Sequence, residues 1–280
     1  MKTAKKTIML SLLFIVASVK GQYKEFEVDV VGTGESILLF PGFTCTGSVW
    51  EDVVVELSKN YECHVFTFAG FGNVTPIEKP WLPKIKDAVN KYVKEHELEN
   101  PIIIGHSLGG ALGLWLATDD KHPYSKLIIV DALPSTGALM IPNFDSEKIA
   151  YESPWNKQLL EMDKVSFQSM AAQMASGMTL TIEKRQELIE WIVNADRETY
   201  VYGYTDLLKL DLREDIAKIA IPVTILGATK PYGLEMVKTT FERQYKKLKN
   251  YNIEYVEDSA HFIMYDKPEW FLDKVVAALK

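Results

Sequence analysis

The chain has 280 residues, of which 47% are hydrophobic, and 31 Lys and Arg stand against 38 Asp and Glu for a formal net charge of -7. This acidic balance argues against nucleic acid and anionic lipid as partners, because both carry the same sign of charge. The length suffices for one large core, and we find no internal repeat or low-complexity linker. We therefore expect one domain with an insertion.

The first 21 residues are typical of an export signal rather than of the folded protein. Three lysines among the first six residues precede an apolar stretch at residues 7–19, and small residues continue to Gly21. About 13 apolar residues are too few for a membrane-spanning helix, which needs roughly 20. We expect cleavage after this segment and a secreted or periplasmic protein with no stable membrane insertion. An uncleaved anchor is the alternative.

Apolar strands that alternate with amphipathic helices predict an α/β fold with a mostly parallel, doubly wound sheet. In chain order we predict strands at residues 26–30, 36–40, 64–68, 101–104, 126–130, 221–227 and 251–256, and helices at 50–57, 82–96, 110–117, 234–249 and 268–279. Residues 134–210 carry helical signals only, so we expect a cap over the carboxyl ends of the strands, where ligands bind in open α/β sheets. The core then comprises residues 22–133 and 211–280.

A Gly-x-Ser-x-Gly pattern lies between the fourth predicted strand and the helix that follows it. Ser107 is its centre, and Gly105 and Gly109 lack the Cβ atoms that would block a tight strand-to-helix turn. The start of the next helix directs its N–H groups and positive dipole end toward the serine oxygen. The pattern predicts a nucleophilic serine, with a structural glycine-rich turn as the alternative.

A serine nucleophile needs a base, and the base needs an acid that orients it. Among the five histidines, His261 is the candidate base, because it follows the last predicted strand at the sheet edge where Ser107 also lies. Asp131 directly follows the fifth predicted strand and is the candidate acid. Asp258 and Glu235 are alternative acids, and Asp131 could instead cap a turn.

Backbone N–H groups are the expected donors to an oxyanion formed at Ser107. Leu108 supplies one of them, because it follows the nucleophile directly. Phe43 supplies the other, because it lies in the loop after the first buried strand and Gly42 lets the backbone turn inward. A plain strand-to-helix turn is the alternative for this loop.

The predicted cap supplies candidate contacts to a substrate. Met170, Met174 and Met178 recur at helical spacing, a pattern that packs into the core of many helices but that in a cap can face the active site. Trp155 and Trp191 are further candidates for the same cavity. We take Met170, Met174 and Trp155 as substrate-binding residues, and we expect a small-molecule substrate with an apolar acyl or alcohol part.

Several segments together resemble the α/β-hydrolase superfamily, in particular its capped, single-domain, esterase-like members. The similarity rests on Phe40-Pro41-Gly42-Phe43, Gly105-His106-Ser107-Leu108-Gly109, Ile128-Ile129-Val130-Asp131, Asp211-Leu212-Arg213 and His261-Phe262-Ile263-Met264. The acid that the family often has after the strand at residues 221–227 is missing here. Some members place it one strand earlier, which is the position of Asp131. The resemblance therefore implies a triad of Ser107, His261 and Asp131.

The leading hypothesis is a serine hydrolase that cleaves a carboxylic ester or similar acyl compound through an acyl-enzyme, with no metal or organic cofactor. One alternative is C–C bond hydrolysis or another reaction of the superfamily at the same site. Another is a non-catalytic binding protein that kept the serine turn and lost its acid. No motif encodes the substrate or the oligomeric state.

Overall fold

The computed structural model describes residues 17–18 and 23–280 of the chain. The predicted export segment, residues 1–21, lies outside the described residues except for Ala17 and Ser18. Within the described part, no helix has both the length and the apolar character needed to cross a membrane.

One sheet runs through the described residues. Its strands are β1 (Ala17–Ser18), β2 (Phe26–Gly32), β3 (Glu35–Phe40), β4 (Tyr61–Phe68), β5 (Ile102–His106), β6 (Lys126–Val130), β7 (Val223–Ala228) and β8 (Tyr251–Val256). Their order is β1-β2-β4-β3-β5-β6-β7-β8, and β3 to β8 are parallel to one another. At one edge, β2 pairs antiparallel with β4, and β1 pairs antiparallel with β2. The predicted mostly parallel α/β sheet is confirmed.

The helices account for most of the remaining chain. They are α1 (Glu51–Leu57), α2 (Trp81–Glu95), α3 (Leu108–Ala117), α4 (Thr136–Met140), α5 (Pro154–Glu161), α6 (Lys164–Met178), α7 (Ile182–Asn194), α8 (Arg197–Lys209), α9 (Leu234–Gln244), α10 (Ile263–Asp266) and α11 (Pro268–Leu279). Between β6 and β7 the chain forms no strand, only helices α4 to α8 and two short 3-10 turns, Ser146–Lys148 and Asp215–Lys218. Helices α4 to α8 lie within residues 134–210, the predicted cap.

The strands alternate their side chains between two hydrophobic cores, one on each face of the sheet. In β3, Leu38 and Phe40 belong to the core that also contains residues of α2, α3 and α9, whereas Ile37 and Leu39 belong to the core that contains residues of α1 and α11. Alternation by two is the geometry of any strand, so a strand that is apolar at every position is buried on both faces. The central strands are therefore rigid supports for the loops at their carboxyl ends.

A buried carboxylate attaches the helical segment to the core. Asp206 of α8 is 6% exposed, and its carboxylate accepts the N–H groups of Trp81 at 2.6 Å and Leu82 at 3.0 Å. These N–H groups belong to the first turn of α2, where no carbonyl group of a preceding helical turn is available to accept them. The Tyr151 hydroxyl donates to the same carboxylate. α8 thereby caps a helix of the core.

Candidate active site

Ser107 occupies a sharp turn between β5 and α3. Its φ of 53° and ψ of -118° are unusual for a residue with a side chain, and such strain is common at functional sites. A Cβ on Gly105 would lie 2.3 Å from the Gly109 carbonyl oxygen, and one on Gly109 would lie 2.3 Å from the Phe40 carbonyl oxygen. Both glycines are therefore required by the turn, as the sequence pattern suggests.

His261 and Asp131 meet although 130 residues separate them in the sequence. The imidazole Nδ1 lies 2.6 Å from Asp131 Oδ2. Asp131 follows β6, and its other carboxylate oxygen accepts the N–H of Ala228 at 2.9 Å. Its own N–H donates to the Leu226 carbonyl at 2.8 Å. The neighbouring strand β7 thus holds the Asp131 carboxylate. Because this carboxylate binds Nδ1 of His261, the other ring nitrogen, Nε2, is available as a base.

The alternative acids do not contact the imidazole. The Asp258 side chain is 69% exposed and pairs with Lys230 at 3.2 Å. Glu235 is exposed in the first turn of α9. Of the three candidate carboxylates, only that of Asp131 is bonded to His261 in this structure.

His106 supports the loop that carries His261. Its side chain is fully buried, and its Nε2–H donates to the His261 carbonyl oxygen at 3.0 Å. Burial holds the pKa of His106 well below its usual value, so the ring is neutral at neutral pH and does not repel a positive charge on His261. Its Nδ1 faces Gly42, where an added Cβ would lie 2.8 Å away. His106 therefore packs inside the protein.

Two backbone N–H groups beside Ser107 are available to an oxyanion. Neither Phe43 N–H nor Leu108 N–H donates a hydrogen bond within the part of the chain that the structure describes. Leu108 is the first residue of α3, so its N–H also carries the positive end of the helix dipole. The Phe43 ring packs against those of Phe71 and Tyr200, which fixes the loop. Both N–H groups are thus left without an acceptor among the described residues, as the expected donors to an oxyanion would be.

Ser107, His261 and Asp131 all line one cavity of about 690 Å³. The Ser107 hydroxyl makes no hydrogen bond to any described residue. Hydroxyl–imidazole bonds of this kind are often long until a substrate is aligned between them. The cavity size suits a small organic molecule.

The cavity lies between the sheet and the helical segment, and most of its walls are apolar. Aromatic and sulfur-containing side chains from α6, α7 and α8 form the roof, among them Met174, Met178, Trp191, Tyr200 and Tyr204. Burial raises the pKa of Tyr200 to about 12, so its hydroxyl stays protonated. No group of His, Cys, Asp and Glu suited to a metal ion occurs among residues 17–18 and 23–280.

Two of the predicted substrate contacts, Trp155 and Met170, do not line the cavity. Trp155 is 59% exposed and lies outside the cavity, because α5 buries Asn156 and Leu159 instead. Met170 is half-buried and packs against the hydrophobic core outside the cavity. Residues four apart on a helix are rotated by about 40°, so Met174, which packs against the same core, also reaches the cavity, whereas Met170 does not.

Other cavity residues were not among the predicted substrate contacts. Tyr200 and Tyr204 share one face of α8, and their spacing of four on a cap helix is a signal that could have identified them. Cys45 also lines the cavity, and burial raises the pKa of its thiol, so it is not a reactive nucleophile. Lys230 lies at the cavity in the loop after β7, where the sequence offers no acid.

Comparison with known proteins identifies the class. The sequence profile of the alpha/beta hydrolase family matches residues 37–274. The chain belongs to the alpha/beta hydrolase family, and it is an enzyme of the hydrolase class. The resemblance inferred from the motifs is thereby confirmed.

Individual relatives are distant. The chain is 25% identical over 206 residues to the pimeloyl-[acyl-carrier protein] methyl ester esterase of Vibrio campbellii, covering 69% of this chain and 74% of that protein. It is 22% identical over 233 residues to 3-oxoadipate enol-lactonase 1 of Acinetobacter baylyi, covering 80% of each. In fold it is similar to an esterase from Exiguobacterium antarcticum, with a TM-score of 0.74, 18% identity and coverage of 90% and 94%.

Proposed function

We propose that this protein hydrolyses carboxylic esters with an apolar acyl part through a covalent acyl-enzyme on Ser107. The observation that carries the proposal is the 2.6 Å hydrogen bond between His261 and Asp131, beside the cavity that also holds Ser107. The alternative hypothesis of a non-catalytic binding protein assumes that the acid was lost, whereas the Asp131 carboxylate contacts the imidazole of His261. The esterase and lactonase relatives support ester chemistry.

The proposed reaction has two halves. Ser107 Oγ attacks the ester carbonyl while His261 Nε2 takes its proton, and the N–H groups of Phe43 and Leu108 hold the oxyanion. His261 then gives the proton to the departing alcohol, which leaves an ester on Ser107. A water molecule, deprotonated by His261, attacks this ester, and His261 returns the proton to Ser107 Oγ as the carboxylic acid leaves. Asp131 stabilises the imidazolium in both halves.

A fluorophosphonate probe tests the proposal directly, because it labels only an activated serine. We expect stoichiometric labelling, mapped by mass spectrometry to the peptide that contains Ser107. A panel of p-nitrophenyl esters, lactones and β-diketones then identifies the reaction class, and we expect the esters to react. An unlabelled protein that hydrolyses none of the esters would overturn the proposal, and turnover of β-diketones alone would favour C–C bond hydrolysis.

The mouth of the cavity suggests which esters are preferred. Leu139, Met140, Tyr232 and Met236 line the cavity and are 49%, 56%, 66% and 60% exposed. Exposed apolar side chains that cluster at one opening mark a binding surface rather than scattered surface residues. An acyl chain too long for the interior would cover them. We therefore expect kcat/KM to rise from acetyl to octanoyl esters.

Met236→Glu tests this preference. We expect kcat/KM for the octanoyl ester to fall roughly tenfold, because about 50 Å² of lost apolar contact corresponds to about 1.3 kcal/mol. The acetyl ester should be hydrolysed as in the wild type. Val165→Glu, which adds the same charge at a 75% exposed position outside the cavity, is the matched control. Equal losses for both esters would contradict the assignment of the mouth.

Export is a separate part of the proposal and depends on the sequence alone. The basic start and the apolar stretch at residues 7–19 support an export signal that is removed near Gly21. Expression of the full chain in a bacterial host, followed by fractionation and N-terminal sequencing, should give a mature protein that begins close to Gln22 outside the cytoplasm. A full-length product in the cytoplasm would contradict export.

A further inference from the structure

The carboxylate of Asp266, in α10, joins two segments that are distant in the sequence. Its Oδ1 accepts the Thr179 hydroxyl at 2.6 Å and the Leu180 N–H at 2.9 Å. Its Oδ2 accepts the Ala260 N–H at 2.7 Å. Thr179 and Leu180 connect α6 to α7, whereas Ala260 directly precedes His261. One side chain therefore links the helical segment above the cavity to the loop of the proposed base.

Residues 178–181, here called the cap turn, are held to Asp266 by further bonds. The Thr181 N–H donates to Oδ1 at 3.1 Å. The Thr181 hydroxyl lies 3.1 Å from Oδ1 and 3.0 Å from the Tyr265 carbonyl, so its single proton serves one acceptor at a time. Thr179 is fully buried, and hydrogen bonds to a carboxylate are stronger than those between neutral groups. The attachment is therefore firm.

The same turn also reaches the other side of His261. The Phe262 N–H donates to the Met178 carbonyl at 3.1 Å. The amides on both sides of His261 are thus bonded either to the cap turn or to the carboxylate that binds the cap turn. The His261 carbonyl itself accepts the Nε2–H of His106. Three consecutive residues of this loop are held from three directions.

We propose that Asp266 is a positioning residue for His261, and that it sets the place of the imidazole by fixing the loop against the cap turn. The inference rests on the proposed role of His261 as the base. Catalytic groups must be held within about 0.5 Å of the productive geometry, and a displacement of about 1 Å can cost about 100-fold in rate. Asp266 does not line the cavity, so it acts through the loop and not on the substrate.

Asp266→Asn removes one acceptor and retains the size of the side chain. The amide oxygen should face the several donors of the cap turn, which leaves the amide NH₂ against the Ala260 N–H. Two donors then oppose each other, and the loop must move. We expect kcat for an ester to fall about 10- to 100-fold with KM within about threefold of the wild type. Because a smaller folded fraction would also lower the apparent kcat without changing KM, kcat is calculated on the folded fraction measured by circular dichroism.

Hydrogen–deuterium exchange measures the loop without the reaction. In Asp266→Asn we expect faster exchange in the peptide that contains Ala260 and Phe262. Asp196→Asn is the matched control, because Asp196 is a half-buried carboxylate that accepts the N–H and hydroxyl of Thr199 at 2.8 Å and does not contact the His261 loop. Asn is also a good helix cap, so this control should keep both kcat and exchange.

Unchanged exchange in the loop, or a kcat within twofold of the wild type, would overturn the inference. If Asp266→Asn does not fold, Asp266→Glu replaces it; the carboxylate remains but its longer reach shifts the loop, so a lower kcat and faster exchange are again expected. Fluorophosphonate labelling of wild-type Ser107 distinguishes failure of the proposed function from failure of this inference. An unlabelled wild type defeats the proposed function, whereas a labelled wild type with an unaffected Asp266→Asn variant defeats only this inference.

Discussion

Ser107→Ala is expected to lower kcat for p-nitrophenyl esters by about 10⁵-fold or more, the usual loss when the nucleophile of such a triad is removed. Alanine cannot form the acyl-enzyme, and the rate that remains comes from the oxyanion donors and from binding. Thermal unfolding should be nearly unchanged, because the Ser107 hydroxyl makes no hydrogen bond to any described residue. Both residues also carry a Cβ, so the strain at φ 53° is the same.

The measurements for this variant are steady-state kinetics, labelling by the fluorophosphonate and a melting curve. Ser176→Ala, on the exposed face of α6, is the matched control and should behave as the wild type in all three. More than about 1% of the wild-type kcat in Ser107→Ala would mean that another group attacks the ester, since loss of a true nucleophile costs far more.

The parallel sheet and its helices could be predicted because their signals are local. Strand β8 at Tyr251–Val256 and helix α11 at Pro268–Leu279 have the predicted bounds. Helix α9 ends at Gln244, five residues before the predicted end, because the chain needs those residues to turn into β8. Periodicity indicates that a helix exists, whereas tertiary packing decides where it ends.

The proposed triad could be predicted from the sequence for a geometric reason. Parallel strands bring their carboxyl ends to one edge of the sheet, so residues that follow β5, β6 and β8 must lie near one another. Ser107, Asp131 and His261 occupy those three places. Pattern and topology together are therefore enough to nominate them.

The cavity walls and the role of Asp266 could not be predicted from the sequence in this way. Which methionine faces the cavity depends on the rotation of α6, and a rotation of about 40° separates Met174, which lines the cavity, from Met170, which does not. The contact between Asp266 and Thr179 joins positions 87 residues apart and depends on how the helical segment packs against the core. No local pattern encodes such a contact.

Asp131→Asn should lower kcat about 10⁴-fold with little change in KM, because the amide selects the wrong tautomer of His261. The Ala228 N–H, 2.9 Å from Oδ1, keeps the amide oxygen on its side. The amide NH₂ then points at Nδ1 of His261, which must accept, and the imidazole proton moves to Nε2. A protonated Nε2 cannot take the proton of Ser107, so the base is lost while the cavity is intact.

Asp258→Asn is the matched control, because this carboxylate is the rival acid and its side chain is 69% exposed on an ion pair with Lys230. Exposed pairs contribute little, so its kcat should stay within about twofold of the wild type. The two variants measured side by side on one ester decide between the acids. A larger loss in Asp258→Asn than in Asp131→Asn would reject Asp131 as the partner of His261, whereas the opposite order would assign the acid to the end of β6.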